Sequence, residues 1–379
     1  MRKYGGIGMN TEEILRLKVR LLTEGASISD SEFQGRKGGA GPVGGRYFLL
    51  PNGRPVGIPI RSGEMAEKFK SAQLEPTEDP MIWLYDRSIE LELVPKPSFY
   101  DLKTDDGIPY NKIALLHGRE TLATTLYQNC RYWLTGQQCK FCTIPHSYQS
   151  KDALLEKTPE QFVEVLQAAL NEGVVKDILM TTGTPDADDV GIERILSVVR
   201  AIREISDIPV GVQFEPPIDA EKIHEVYKVG VNAVGIHIES IDPDIRAKYC
   251  PGKTEYGSYE LYMKSWKLAL DLFGKGNVST FILYGLGEDL SLTLSKLNEI
   301  ASTGVLPVIT PIRPAPNSQL GNFIPSYLKK PKLYFEFVKD VGRILFREKI
   351  NPKETTAGCH RCGGCTPIQE AYDFAQSVL

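Results

Sequence analysis

Six of the seven cysteines in this 379-residue chain fall into two short triplets. The first is Cys130, Cys139 and Cys142, within Cys-Arg-Tyr-Trp-Leu-Thr-Gly-Gln-Gln-Cys-Lys-Phe-Cys. The second is Cys359, Cys362 and Cys365, within Gly-Cys-His-Arg-Cys-Gly-Gly-Cys. An odd number of cysteines, clustered in a long chain, does not suit a disulfide framework. Thiolates are soft ligands for iron and zinc. A closed structural zinc site takes four donors, usually from two Cys-x-x-Cys pairs, and each triplet supplies only three. Three thiolates can instead hold three irons of a four-iron cluster and leave the fourth open to a ligand. Zinc remains the alternative at both places. His146 could complete a zinc site at the first, whereas His360 is too close to its neighbouring cysteine to be an easy fourth donor at the second. Cys250 stands alone. It is a candidate fourth ligand for the second group, or simply a buried small hydrophobe.

Between the triplets, polar residues recur at the ends of apolar runs. They are Thr181-Thr182-Gly183-Thr184, Gln213-Phe214-Glu215-Pro216-Pro217, His237-Ile238-Glu239-Ser240 with Arg246 beyond it, Tyr284-Gly285-Leu286-Gly287-Glu288-Asp289, and Pro311-Ile312-Arg313-Pro314. Alternation in an extended strand puts His237 and Glu239 on one face. Polar residues on the inner face of a sheet are candidates for binding. Plainer readings stand beside these. Thr182–Thr184 also reads as a strand-to-helix turn, Glu215 as a surface carboxylate before a Pro-Pro stop, and Arg246 as a solvated helix arginine.

The elements that must position these groups follow a regular alternation. Strands are expected within Ala114–Tyr127 and at Asp177–Thr181, Val210–Phe214, Ala233–Ile238, Val278–Tyr284 and Leu306–Thr310. Amphipathic helices are expected at Pro159–Glu172, Ile192–Ile205, Ala220–Val229, Tyr259–Phe273, Leu292–Ser302 and Tyr334–Arg347. Six strand–helix units in series imply a parallel sheet with right-handed crossovers. Chemistry in such folds sits at the C-terminal ends of the strands. Residues 1–110 differ. A helix over 10–25, capped by Thr11, precedes a glycine-rich stretch at 35–45. A hairpin of Arg46–Leu50 and Val56–Ile60 follows, then short strands at Met81–Tyr85 and Ile89–Val94. The chain therefore divides into an α+β extension (1–110), a barrel (111–330), and a final helix with the second triplet (331–379).

Composition excludes some classes. The net charge is −4 with no lysine- or arginine-rich block, so nucleic acid is not an expected partner. No run of 18 apolar residues occurs, and the N-terminal residues carry no apolar stretch behind their charges, so a cytoplasmic protein away from the membrane is expected.

A three-cysteine loop after the first strand, with the aromatic Phe141 just before the last cysteine, resembles the radical S-adenosylmethionine (SAM) superfamily. The usual three residues between the first two cysteines are here eight, a departure from the pattern. The resemblance implies a partial (β/α)6 to full TIM-like barrel. It implies a SAM-binding 4Fe-4S cluster on Cys130, Cys139 and Cys142. Thr182, Gly183 and Thr184 would take the methionine amino group, Glu215 would reach cofactor or substrate, Glu239 would contact the ribose, and Arg246 the methionine carboxylate. Gly285 and Gly287 would lie beside the adenine. Cys359, Cys362 and Cys365 would hold an auxiliary Fe-S cluster, expected to be 4Fe-4S.

Within the superfamily, Gly35–Pro42, Ile113–Gly118, Leu122–Thr125, Pro251-Gly252-Lys253 and Gly285–Asp289 resemble a biotin-synthase-like family. Similar proteins include the two-component lipoyl synthases of archaea. That resemblance implies sulfur insertion from the auxiliary cluster. An octanoylated lipoyl carrier protein would be the substrate, a second radical SAM protein the partner, and a ferredoxin-like protein the low-potential electron donor. Two other functions compete. One is a radical SAM reaction on a small molecule of a nitrile-linked pathway, without sulfur donation. The other is a zinc-stabilised binding protein.

Overall fold

The computed structural model describes residues 8–28, 44–75, 81–84, 87–185 and 188–379. Most of the glycine-rich stretch lies outside the described residues. Six parallel strands form the main sheet in chain order: Thr121–Thr125, Asp177–Thr181, Val210–Phe214, Ala233–Ile236, Val278–Tyr284 and Leu306–Pro311. Near-continuous burial along them is what a sheet covered on both faces demands. Helices Pro159–Glu172, Ile192–Ile205, Glu221–Lys228, Tyr259–Phe273 and Leu290–Thr303 make the crossovers. The helix at Pro159 begins with Thr158 in a capping box with Gln161 and ends at Gly173 in the left-handed conformation.

The sheet does not close. One edge is Leu306–Pro311, and the other is the short strand Leu115–His117, antiparallel to Thr121–Thr125. The architecture is therefore a partial (β/α)6 barrel and not a full TIM-like ring. The apolar run Ala114–Tyr127 folds into a hairpin because Gly118 turns it with φ +57°.

The N-terminal residues build their own seven-stranded mixed sheet beneath helix Thr11–Glu24. Its small core joins Ile14, Leu17, Leu21, Phe48, Val56 and Ile58. Asn10, not Thr11, caps that helix, in a reciprocal capping box with Glu13. The expected hairpin forms from Gly45–Leu49 and Pro55–Arg61. The expected strand at Ile89–Val94 splits at Leu91 into two short strands on opposite edges of the sheet.

At the other end, helix Pro331–Arg347 packs on helix Ile368–Val378. Gly342 allows the close approach, since a Cβ there would meet the Ala371 carbonyl oxygen at 2.2 Å. The second cysteine triplet lies between these helices in sequence. Among the described residues, no helix is long and apolar enough to cross a membrane.

Candidate functional site

The first triplet sits at the C-terminal mouth of the barrel, on the loop leaving strand Thr121–Thr125. The eight-residue insertion between Cys130 and Cys139 is ordered. It starts with a helical turn, Arg131–Leu134, and Tyr132 is buried against Gly252. The Tyr132 hydroxyl donates to Glu215 at 2.8 Å. Backbone bonds lock the loop to its neighbours: Arg131 N to Thr184 O at 2.8 Å, and Lys140 N to Tyr249 O at 2.9 Å. At Gly183 the packing is tighter still, because a Cβ would lie 1.7 Å from the Asn129 carbonyl oxygen.

A cavity opens beside this loop. Cys130, Cys139, Cys142 and Phe141 line it, together with Thr182, Gly183 and Thr184, then Gln213, Glu215, His237, Glu239 and Lys253. Helix Tyr259–Phe273 positions the end of strand Ala233–Ile236 and His237 just beyond it. The Tyr262 hydroxyl donates to His237 O at 3.1 Å, and the Trp266 indole to Ile236 O at 3.0 Å. His237 Nδ1 accepts from the Phe281 amide at 3.1 Å, which leaves the proton on Nε2. Burial, with Lys253 nearby, pushes the His237 pKa well down and keeps the ring neutral. Glu239 holds a left-handed backbone, φ +69°, a strained state for a residue with a side chain. Its carboxylate accepts from Lys253 Nζ at 2.8 Å. Burial works against the Lys253 charge, but Glu239 and other nearby groups outweigh it and raise the pKa.

Two expectations change here. Arg246 does not line the cavity. Its guanidinium is turned to the carbonyls of Lys253 and Gly257, where it ties two short helices together. The cation at the cavity is Lys253, whose place depends on a chain turn that spacing alone does not reveal. Gly285 and Gly287 also lie outside the cavity lining. They form a turn, φ +113° and +100°, in which the Glu288 carboxylate accepts from the Gly285 and Leu286 amides. Arg313 donates to Gly57 O of the N-terminal hairpin at 2.9 Å.

The second triplet enters the open side of the barrel and reaches its interior. Ala123, Leu179, Gly211 and Ala233 form one row across four strands. Cys359 packs on Ala123 and Leu179. A Cβ on Gly211 would come 3.2 Å from Gly358 N, so a side chain at that position would press on the cysteine segment. Gly118 likewise faces Cys362, with 2.8 Å from its would-be Cβ to the sulfur. The N-terminal hairpin closes the outside: Gly57 N donates to Gly364 O at 2.6 Å, and the Tyr47 hydroxyl lies 3.7 Å from Cys365 Sγ. Arg361 ties the segment to the base of the sheet through Asp177, at 2.7 Å, and Glu120. Gln213 is shared by the two places. It lines the first cavity, and its Nε2 donates to Cys359 Sγ at 3.2 Å. Cys250, a candidate ligand for the second triplet, instead lies beside the first, where Lys140 N donates to Tyr249 O at 2.9 Å and Gly252 N to Gln137 O at 3.0 Å.

The donor set fits iron–sulfur clusters. Burial, with Glu215, pushes the Cys130 thiol up to about 12, and burial with Cys139 pushes Cys142 to about 11. Burial and Cys365 raise Cys362 to about 12. Buried thiols facing one another ionise only when positive metal offsets their charge. Among the described residues, no three His, Cys, Asp or Glu side chains gather around one point as ligands of a single ion would. A polynuclear cluster needs no such convergence, since each thiolate binds a different iron. Gln138 Oε1 and His237 Nε2 are buried at the first cavity without partners, which suits a polar ligand bound there.

The family comparison agrees with this chemistry. Residues 136–292 match the radical SAM superfamily, a stretch that includes Cys139 and Cys142 and begins after Cys130. Bacteriochlorophyllide c C-7(1)-hydroxylase of Chlorobaculum limnaeum is 23% identical over 331 residues, covering 82% of this chain and 80% of that protein. Among solved structures, methylornithine synthase superposes with a TM-score of 0.46 at 16% identity, covering 66% of this chain and 72% of that one. A radical SAM methyltransferase from Sphaerobacter thermophilus gives 0.42 at 12% identity, covering 76% and 67%.

Proposed function

We propose that this chain, whose residues 136–292 match the radical SAM superfamily, is an enzyme that activates a C–H bond and completes the reaction with sulfur held at the second cysteine triplet. The observation that carries this reading is the position of Cys359, inside the barrel and one side chain, Gln213, from the cavity of the first triplet. Cys130, Cys139 and Cys142 would hold a SAM-binding 4Fe-4S cluster, and Cys359, Cys362 and Cys365 an auxiliary one. When bound, the first cluster would pass one electron to SAM, giving methionine and a 5′-deoxyadenosyl radical able to remove a hydrogen atom, and the second would supply sulfide to the carbon left behind.

The chain's own residues bind, orient and seal. Gln138 offers an acceptor and His237 a donor to a polar ligand. The Lys253–Glu239 ion pair sets a fixed cation and anion side by side in the cavity wall. Tyr132 holds Glu215 against the wall. The cysteine segment and the N-terminal hairpin close the open side of the barrel and exclude water from reactive carbon. The substrate proposed is an octanoyl group on a lipoyl carrier protein, with a second radical SAM protein and a ferredoxin-like electron donor. A second reading is hydroxylation, favoured by the likeness to the bacteriochlorophyllide hydroxylase.

The test begins with anaerobic protein and a count of iron and sulfide. About eight irons, falling to about four when Cys359, Cys362 and Cys365 become alanine, is the expected result. The second site is then loaded with 34S-sulfide and turned over with octanoylated carrier, partner, reductant and SAM. Label in the product supports sulfur insertion. Product oxygen derived from labelled water, with the sulfide count unchanged, would replace it with hydroxylation.

A further inference from the structure

We infer that Gln213 is a positioning residue for the auxiliary site, and that its side-chain amide sets the reduction potential of a cluster held by Cys359. This rests on the reading of the second triplet as a cluster site. Gln213 lies on the inner face of strand Val210–Phe214, in register with Thr181 on one side and Gly235 on the other. Its side chain spans the layer between the two triplets, with the first cavity on one side and Cys359 Sγ 3.2 Å from Nε2 on the other. Gly235 makes the space. A Cβ there would come 3.1 Å from Gln213 Cγ and 2.5 Å from the His237 ring, so the two polar side chains can lie together only over a glycine.

The surroundings make the amide matter. Cys359 packs on Ala123 and Leu179, apolar groups that offer its sulfur no charge compensation. An N–H donated to a cluster-ligating thiolate favours the more negative, reduced state and raises the potential. In an apolar pocket that contribution is screened little. The same amide fixes the Cys359 rotamer, and it forms the wall a substrate carbon would face on the way to the auxiliary site.

The experiment uses the full chain with Cys130, Cys139 and Cys142 replaced by alanine, so that only the second cluster is seen. Its potential is measured by anaerobic redox titration with electron paramagnetic resonance detection. Gln213→Leu keeps the bulk and removes the donor, and Gln213→Glu replaces the donor with an acceptor. Both should shift the potential downward, Glu further than Leu. For Leu the reduced-to-oxidised ratio at a fixed potential should fall on the order of threefold to tenfold, as expected for loss of a hydrogen bond to a charged group. If both variants lose the second cluster while the folded chain is retained, the dependence of Cys359 on the amide is shown in another way. Equal potentials and spectra in all three proteins would overturn the inference. Absence of a second cluster from the Gln213 protein itself would overturn the sulfur-donor reading instead, so the two failures are distinct.

Discussion

Gly183 shows what a single residue decides at this site. Its missing Cβ is the space occupied by the Asn129 carbonyl, 1.7 Å from where the methyl group of an alanine would sit. Backbone cannot yield that distance without moving the loop that carries Cys130. Gly183→Ala should therefore displace the cysteine loop and cost about 1–3 kcal/mol of stability, the range for overpacking a tight site. The first cluster should lose iron while the second keeps it, as read by iron analysis in chains with one triplet or the other removed. Normal first-cluster content would show that the loop tolerates the shift. At this scale the sequence displays the donor types plainly, because thiolates at short spacing have few other uses. It hides the partners that distant turns bring in. Lys253 and Cys250 reach the first triplet through the two short helices after Asp242, and nothing local to either residue announces it. Arg246 was the plausible cation by resemblance, and its guanidinium turned out to serve backbone carbonyls.

Elements are better written in the sequence than sites are. Strands Asp177–Thr181, Val210–Phe214 and Val278–Tyr284 and helices Pro159–Glu172, Ile192–Ile205 and Tyr259–Phe273 fall where apolar runs and periodicity put them. One exception, the Leu115–Thr125 hairpin, was hidden because its strands are short and only Gly118-Arg119-Glu120 separate them. Strand Thr121–Thr125 also depends on a buried cation. Lys157 Nζ donates to Thr125 O at 2.6 Å and Leu154 O at 3.1 Å, fixing the strand end from which the cysteine loop departs. Burial lowers its pKa from 10.5 to about 7, and a neutral amine still has two N–H groups for those two carbonyls. The folded chain thus holds this proton less tightly than the unfolded chain. Its contribution is present above 10.5 and lost as pH falls through about 7, so stability rises with pH across that window. Lys157→Met removes the titration and leaves two carbonyls short of donors, at about 1–3 kcal/mol. Anaerobic denaturant unfolding should show the gap between the two proteins widening from pH 7 to pH 10. A gap that stays constant would mean that Lys157 titrates normally.

For the whole molecule, the decisive feature is that helix Thr11–Glu24 meets helix Ile368–Val378. Lys18, on the first helix, and Glu370, on the last, form a fully buried ion pair at 2.9 Å. Thr11 and Ser377 are hydrogen-bonded at 2.8 Å along the same contact. The segment that carries the second triplet is bounded by this contact, by the hairpin bond from Gly57 to Gly364, and by the barrel interior. The division of the sequence into extension, barrel and tail says nothing of this, because lysine and glutamate 352 residues apart carry no mutual signal. A buried pair is strongly destabilising to break yet often little better than a well-packed apolar replacement, since each ion left alone keeps its desolvation cost. Lys18→Met and Glu370→Leu should each cost about 3–5 kcal/mol, and the double variant much less than their sum. Because the contact flanks the second triplet, each single variant should lose second-cluster iron before first-cluster iron. Denaturation midpoints and iron counts on the three proteins decide the matter. Additive costs would mean that the pair is not coupled, and equal loss from both clusters would mean that the contact between the two helices supports the barrel as a whole and not the second triplet in particular.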